Sequence, residues 1–387
     1  MSQIVRLKDI VVRFYTYEGV VKALEKVNLF VKKGETLGLV GETGCGKTMT
    51  GLSIFNLIPS PGRIEGGEVL FRTKEGRIKN LLSLDEAGLQ RIRGAEISMI
   101  FQEPSASLNP VYTIGDQVSE VFLTHREKAL LKNTIKKIDE ELQESKGELL
   151  KRFILRFEKN IYERIMRNKD PLLIRILNKI PLIRRYRRRL EAEAKKQAIS
   201  LLRDLGIPDP ERVADMYPYE LSGGMQQRAV IAMALACNPV LLVADEPTTS
   251  LDVTIQARIL ELIRELKRRF DTTVLFITHD LGVIAEMCDR VAVMYAGNVV
   301  EIADVKEIFR NPLHPYTKAL MESIPQPGKE YKTIRGVVPN LINPPSGCRF
   351  HPRCPQAVEI CAEKRPELLE IRKDHFVACH LYDGEER

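Results

Sequence analysis

Three glycines, Gly41, Gly44 and Gly46, followed at once by Lys47 and Thr48 in the octapeptide GETGCGKT, are residues suited to holding phosphate. Glycine at these places lets the backbone turn its N–H groups into one concavity, and a helix starting at the loop's end adds the positive end of its dipole. Lys47 brings a point charge to the β- and γ-phosphates of a nucleoside triphosphate, and the Thr48 hydroxyl suits Mg²⁺. Glu42, Thr43, Cys45 and Met49 complete the lining, with Cys45 read as a small filler rather than a redox residue. An apolar strand-like run, Thr36 to Val40, precedes the loop, and a helical run from Met49 to Leu57 follows it.

The partner chemistry lies in LLVADEP, Leu241 to Pro247, an apolar run ending in adjacent carboxylates. Asp245 is expected to hold Mg²⁺ through water, and Glu246 to polarise the attacking water as general base. Phosphoryl transfer to water needs positioning and charge neutralisation more than covalent chemistry. One acid on the metal and one on the nucleophile therefore suffice. Together these features place the chain only among P-loop nucleotide hydrolases, a very large class.

The elements that must carry these residues are of two kinds. Residues 1 to about 90 read as short strands with turn signals, among them Ile4 to Phe14 and Leu24 to Val31. From Pro239 onward, apolar runs at Val240 to Ala244, Thr273 to Thr278 and Arg290 to Tyr295 alternate with amphipathic stretches such as Val253 to Phe270. That alternation implies an α/β core with a largely parallel sheet. Residues 113 to 205 are helical in pattern, and after about Pro312 the composition shifts to proline and cysteine. At 387 residues and 44% hydrophobic the chain can bury a full core. The first residues resemble a strand rather than a signal peptide. The longest apolar run, Ala229 to Cys237, falls far short of the roughly 20 residues that span a bilayer.

The segment LSGGMQQR, Leu221 to Arg228, resembles the signature motif of ABC ATPases, and other elements of that family follow in order. Gln102 in FQEPSASLNP resembles the Q-loop, Ser250, Leu251 and Asp252 the D-loop, and His279 in ITHD the switch histidine. Tyr17, with Tyr15 as alternative, resembles the aromatic that stacks on adenine. The resemblance implies an ABC-type P-loop nucleotide-binding domain that hydrolyses ATP, with Glu246, His279 and Gln102 at the reaction and Thr48, Gln102 and Asp245 around Mg²⁺. It also implies a head-to-tail pair of cassettes, in which Leu221, Ser222, Gly223, Gly224 and Met225 face the ATP of the opposing subunit. The motifs FQEPSASLNP, DEPTTSLDVT and NPLHPYT (Asn311 to Thr317) narrow it to the dipeptide and oligopeptide importer ATPases. That family implies two membrane permease subunits, a second ABC ATPase of the same or another kind, and an extracytoplasmic solute-binding protein. It implies a peripheral place on the cytoplasmic face of the membrane, with peptides or short oligosaccharides as cargo. The expected division is 1–310 for the nucleotide-binding domain, with an enlarged helical subdomain at 113–205, and 311–387 for a small cysteine-rich module.

Cys348, Cys354, Cys361 and Cys379 are spaced C-x5-C-x6-C-x17-C. Four thiolates suit a [4Fe–4S] cluster or tetrahedral Zn²⁺, and the family resemblance favours the cluster. His351, His375 and His380 nearby are read as hydrogen-bonding or surface residues, and Cys237 and Cys288 as core. Between His125 and Ser200, 22 Lys and Arg stand against 11 Asp and Glu, more than the whole-chain net charge of +7. This extra length departs from the family pattern and reads as a solvated helical arm, or as a surface meeting anionic headgroups or permease loops. No nucleic-acid motif accompanies the charge, so no nucleic-acid partner is expected.

Overall fold

The computed structural model describes residues 2–145, 147–167, 184–249, 252–324 and 333–383. The chain divides into two compact units, one of Met1–Gln102 with Pro239–Arg387, the other of Glu103–Asn238.

Among the described residues the first unit holds twelve strands in two sheets: β1 (Gln3–Thr16), β2 (Gly19–Lys32), β3 (Thr36–Val40), β4 (Gly62–Arg72), β5 (Ile78–Asn80), β6 (Ile97–Ile100), β7 (Leu241–Asp245), β8 (Thr273–Ile277), β9 (Arg290–Tyr295), β10 (Asn298–Asp304), β11 (Leu369–Arg372) and β12 (His375–Val377). An antiparallel sheet runs β2-β1-β4-β5. In β1 the buried positions change phase, from Val5 and Leu7 to Ile10 and Val12. A strand alternates faces every residue, so this needs a bulge. The register slips between Leu7 and Ile10, where Asp9 takes φ 47°.

The second sheet runs β11-β12-β10-β9-β3-β8-β7-β6. Its centre, β9-β3-β8-β7-β6, is parallel, while β10 and β12 join antiparallel. β3, β7, β8 and β9 are buried at every residue, as expected for parallel strands covered on both faces. Leu39 pairs with Ile277, Asp245 with Ile277, and Ile100 with Ala244. The carboxyl ends of β3, β8, β7 and β6 therefore align, and Gly41, His279, Glu246 and Gln102 all leave the sheet at one edge. The described residues after 311 belong to the same compact unit, for β12 and β11 extend its sheet beyond β10.

The second unit is helical, with Ile114–His125, Glu127–Glu144, Leu149–Arg167, Arg184–Asp204, Pro210–Ala214 and Gly223–Leu235 as its main helices. Thr113 caps the first, accepting from the Asp116 N–H at 3.2 Å. The basic insertion is built on a packed base. Leu130, Leu131, Ile138, Leu155 and Tyr162 are buried, and ion pairs join Lys159 to Asp139 at 2.5 Å and Lys137 to Glu193. Arg189 forks onto Glu141 at 2.9 and 3.1 Å and reaches the buried Glu158 at 3.1 Å. It is a structural tie rather than a free surface cation. Its neighbour Arg187 is exposed, while the side chains of Arg184 and Arg185 lie outside the described residues. On the outer face Leu149, Leu150, Phe153 and Phe157 are exposed beside Lys151, Arg152 and Arg156.

Removing the Arg189 guanidinium deprives a buried carboxylate of a cation, which in a dry setting costs about 3–5 kcal/mol. Arg189 is itself 30% exposed, so Arg189→Met is expected to cost about 1–3 kcal/mol. The loss should appear as faster amide hydrogen exchange in 127–167, with exchange at β3 and β7 unchanged. Unchanged protection in the insertion would show that the tie is ornamental.

Candidate functional site

The phosphate loop is confined by what surrounds it. Gly41 has φ 158°, and a Cβ there would lie 2.1 Å from the Met294 carbonyl oxygen of β9. Gly46 has φ 103°, and a Cβ there would meet Leu24 at 2.7 Å. No other residue type fits either place. Gly44 departs from this pattern of enclosure. It is exposed, with no atom within 4 Å of where a Cβ would stand, so only its left-handed φ of 79° calls for glycine. Thr43 beside it is exposed too, and the pair form the loop's open rim rather than its packed floor. Cys45 is 1% exposed and sits within reach of the Gly41 position, in keeping with a small filler. Lys47 is 6% exposed, and its ammonium donates to the carbonyls of Gly41 at 2.8 Å and Glu42 at 3.2 Å. A cation is thus held at the mouth of the loop and at the start of the Lys47–Ile54 helix.

Next along the sheet edge, Asp245 is 2% exposed, and its Oδ1 accepts from the Thr48 hydroxyl at 3.3 Å. Burial raises its carboxyl to about 6; the Thr48 bond opposes the shift, and the charge of Glu246 adds to it. A hydroxyl and a dry carboxylate side by side make a donor set suited to Mg²⁺, whose charge would favour the ionised acid.

Glu246 leaves the strand in the left-handed region, at φ 45°, with its N–H donating to the Ile277 carbonyl at 2.8 Å. Non-glycine residues held there cost about 1–3 kcal/mol and persist where surroundings over-determine them. Here the carboxylate is bound on three sides: by Gln102 Nε2 at 3.1 Å, the Thr249 hydroxyl at 2.9 Å and His279 Nδ1 at 3.0 Å. Burial would raise its pKa, but the bonds from His279 and Thr249 and the charge of Lys47 outweigh it and hold the carboxyl below its ordinary range. So the acid beside the metal position is raised, and the acid beside the open edge is held ionised, able to accept a proton from water.

The remaining expected residues are placed more loosely. Tyr17 is 98% exposed at the β1–β2 turn; Tyr15 is half exposed, with its hydroxyl on Glu65. Ser250 and Leu251 lie outside the described residues, while Asp252 caps the Val253–Phe270 helix by accepting from Ile255 N–H at 3.0 Å. In the second unit Leu221 is buried, Ser222 and Gly223 are exposed, and Gly224 and Met225 are half-buried at the start of the Gly223–Leu235 helix. Ser222 gives this helix no side-chain cap, and its carbonyl accepts from the N–H groups of Met225 and Gln226 at 2.9 Å.

Among the described residues no group of three or more His, Cys, Asp or Glu side chains is set to hold a metal ion, at the four cysteines or elsewhere. The four thiols are nonetheless neighbours: the charges of Cys348, Cys354 and Cys361 all act on Cys379, which burial first of all pushes up to about 11. Burial pushes Cys348 up to about 11 and raises Cys354 as well, with backbone N–H groups opposing the shift at each. His351, His375 and His380 all hydrogen-bond to protein: to the Cys348 carbonyl, to Glu301 at 2.7 Å, and to Asp383 with the Lys364 carbonyl. Cys237 and Cys288 are buried.

Glu301 escaped the sequence reading. Wholly buried, it accepts from the N–H groups of Leu313 at 2.7 Å and His314 at 2.9 Å and from His375, which fixes the NPLHPYT segment to β10. Arg353 and Tyr316, which bind Glu42 of the phosphate loop, were also missed. A lone buried carboxylate inside an apolar strand, VVEIA, is the signal that could have found the first. The other two had none.

Comparison with known proteins accords with this geometry. Residues 24–249 match the family model described as ABC transporter, and residues 300–361 match that for the oligopeptide/dipeptide transporter C-terminal region. A probable peptide ABC transporter ATP-binding protein of Sinorhizobium fredii is 45% identical, covering 96% of this chain and 93% of its own. The oligopeptide transport ATP-binding protein OppD of Bacillus subtilis is 42% identical over 98% of this chain and 89% of its own. Among solved structures, a dimeric ATP-binding cassette in a post-hydrolysis state with ADP and phosphate overlays with TM-score 0.54, at 24% identity, over 78% of this chain and 99% of that one. That last likeness speaks for the fold.

The raised Asp245 sets a pH dependence whose sign can be worked out. Below about pH 4 the group is protonated folded and unfolded, and costs nothing. Between about pH 4 and 6 the unfolded chain gives up this proton while the folded protein, which would have to ionise it in a dry place, keeps it, and stability falls by up to about 3 kcal/mol. In EDTA without nucleotide, thermal unfolding of wild type is expected to drop between about pH 4 and 6, and to level off above that, relative to Asp245→Asn. Parallel profiles would remove Asp245 as the source.

Proposed function

The chain belongs to the ABC transporter family, and we propose that it is the ATP-hydrolysing subunit of an importer of di- and oligopeptides. It is an ATPase, and the observation that carries the catalytic reading is the carboxylate of Glu246, caged by Gln102, Thr249 and His279 one residue beyond the Asp245–Thr48 pair. In this reading residues 41–49 hold the triphosphate, with Lys47 on its β- and γ-oxygens. Thr48, Asp245 and Gln102 would hold Mg²⁺, which would supply charge neutralisation for the phosphoryl oxygens. Glu246 takes the proton of the attacking water. His279 and Gln102 hold the carboxylate in place, and Tyr17 or Tyr15 covers the base.

The exposed start of the Gly223–Leu235 helix suits a second anion site, which Leu221 to Met225 present to the ATP of another cassette. Two cassettes then close over two nucleotides, with Ser250 to Asp252 near the contact. Loss of the γ-phosphate charge loosens the pair and moves two membrane permeases, to which a solute-binding protein delivers cargo. The place of action is the cytoplasmic face of the membrane. Among the described residues no helix is long and apolar enough to cross a bilayer. We take peptides rather than short oligosaccharides as cargo because the named relatives are peptide transport proteins and the C-terminal match is to peptide transporters.

We further propose that Cys348, Cys354, Cys361 and Cys379 carry a [4Fe–4S] cluster. A single Zn²⁺ would bring its thiolates to roughly 2.3 Å from one point, whereas an iron–sulfur cube holds them farther apart. Four thiols near one another in the C-terminal part of the chain support this reading.

Glu246→Gln is expected to leave ATP binding within about twofold, to lower turnover by at least about 100-fold, and to accumulate a closed pair with ATP on size analysis. Turnover within about tenfold of wild type would assign the water to another residue. Reconstituted with its permeases and binding protein, the complex should hydrolyse ATP faster when given short peptides and not when given oligosaccharides; the reverse result would change the cargo class.

Purified without oxygen, the chain should be brown, with about four iron atoms per molecule, and Cys348→Ser with Cys354→Ser should bleach it. One zinc and no iron would replace the cluster by a structural zinc site.

A further inference from the structure

The second residue of the phosphate loop is gripped twice by the C-terminal part of the chain. Arg353 forks onto the Glu42 carboxylate, Nη1 to Oε2 at 2.8 Å and Nη2 to Oε1 at 3.2 Å. Tyr316 uses its hydroxyl to accept from the Glu42 N–H at 3.0 Å. Neither contact is made by a loose surface group. The Arg353 side chain is 6% exposed, its Nε donates to the Arg335 carbonyl at 2.7 Å, and its Nη1 also reaches the Tyr295 hydroxyl at 3.2 Å. Tyr316 is fully buried, its ring 4.7 Å from that of Tyr295 and 5.4 Å from that of Phe350. Phe350 and Arg353 stand on one short turn between Cys348 and Cys354, closed by His351 N–H to the Cys348 carbonyl at 3.0 Å. Arg349 on the same turn bonds Glu25 at 3.2 Å and the Lys22 and Ala296 carbonyls.

We infer that Arg353 and Tyr316 are positioning residues for ATP binding, bracing the phosphate loop from the cysteine-bearing turn. This rests on the reading of residues 41–49 as the ATP site. A bidentate charged pair fixes direction as well as distance, and the Tyr316 hydroxyl holds the Glu42 N–H at the loop's second position. With the brace in place the loop meets triphosphate already ordered. Without it the ordering cost falls on binding, which weakens ground state and transition state alike: KM rises and kcat stays. Neither residue touches the reacting atoms.

The test uses the full chain, with ATP affinity from displacement of a fluorescent ATP analogue and KM and kcat from steady-state hydrolysis. Arg353→Met should raise the ATP Kd and KM roughly five- to tenfold with kcat within about twofold. Arg353→Lys, keeping the charge but losing the fork, should fall between, and Tyr316→Phe should weaken binding about twofold to fivefold. Glu42→Gln should match Arg353→Met, and the double variant should be no weaker than either alone. Should Arg353→Met not fold, Glu42→Gln, which leaves Arg353 bonded to Arg335 and Tyr295, decides the matter. ATP affinity unmoved by Glu42→Gln, or two effects that add in full, would overturn the brace. A wild-type chain that binds no ATP, with Lys47→Ala indistinguishable from it, would instead overturn the reading on which the brace rests.

Discussion

Everything at the site depends on four parallel strands ending level with one another. β3, β8, β7 and β6 are held in register by backbone hydrogen bonds along their whole length, so residues that are 41, 102, 246 and 279 in sequence leave the sheet along one edge. No local interaction could bring them together. The register is secured by burial on both faces, because a slip of one residue would turn a row of apolar side chains against its packing. The positions of the loop, the two acids, the glutamine and the histidine follow from that one alignment.

On this edge the protein keeps two adjacent carboxylates in opposite electrostatic conditions. Both are short of water, and the difference lies in partners: Asp245 has one hydroxyl, whereas Glu246 has an amide, a hydroxyl and an imidazole. The left-handed backbone at Glu246 is what separates them. It turns the second acid out of the strand's plane, toward side chains delivered by β6 and β8. A strained residue is kept because three bonds converge on its side chain, and the same bonds fix the direction in which it can take a proton.

Much of this was legible in the sequence, wherever a pattern is local. The glycine spacing, the apolar runs of β3 and β7 to β9 and the acid pair each carry their meaning within a few residues. Spacing alone did not distinguish Gly44, which needs only its backbone angle, from Gly41 and Gly46, which are also hemmed in by residues far along the chain. The bulge at Asp9 was not legible, because a long alternating run such as β1 looks continuous until pairing shows where its phase changes. Nor was the convergence on Glu246 of Gln102, Thr249 and His279 derivable from residues alone; family resemblance suggested two of them, and Thr249 was not suspected. The tail was read as a small module because composition shifts to proline and cysteine after about Pro312. Not legible was the buried Glu301, which holds the NPLHPYT segment to β10 through backbone N–H groups that leave no trace in residue type. The charge excess of the insertion was read as surface, yet Arg189 is spent on internal carboxylates, since a count of charges is blind to pairing.

The contact between Arg353 and Glu42 spans 311 positions of the chain. On a ribosome adding about 5–20 residues per second, the first part of that pair waits on the order of 15–60 s for the second. During this interval β10, once made, presents an open edge until β12 arrives to pair with it. The nucleotide-binding half is thus among the first parts to be made and among the last to be finished. A nascent chain of this protein has reason to engage chaperones late rather than early, and an interrupted transcript that ends before β12 yields a polypeptide with its phosphate loop intact in sequence and unfinished in structure.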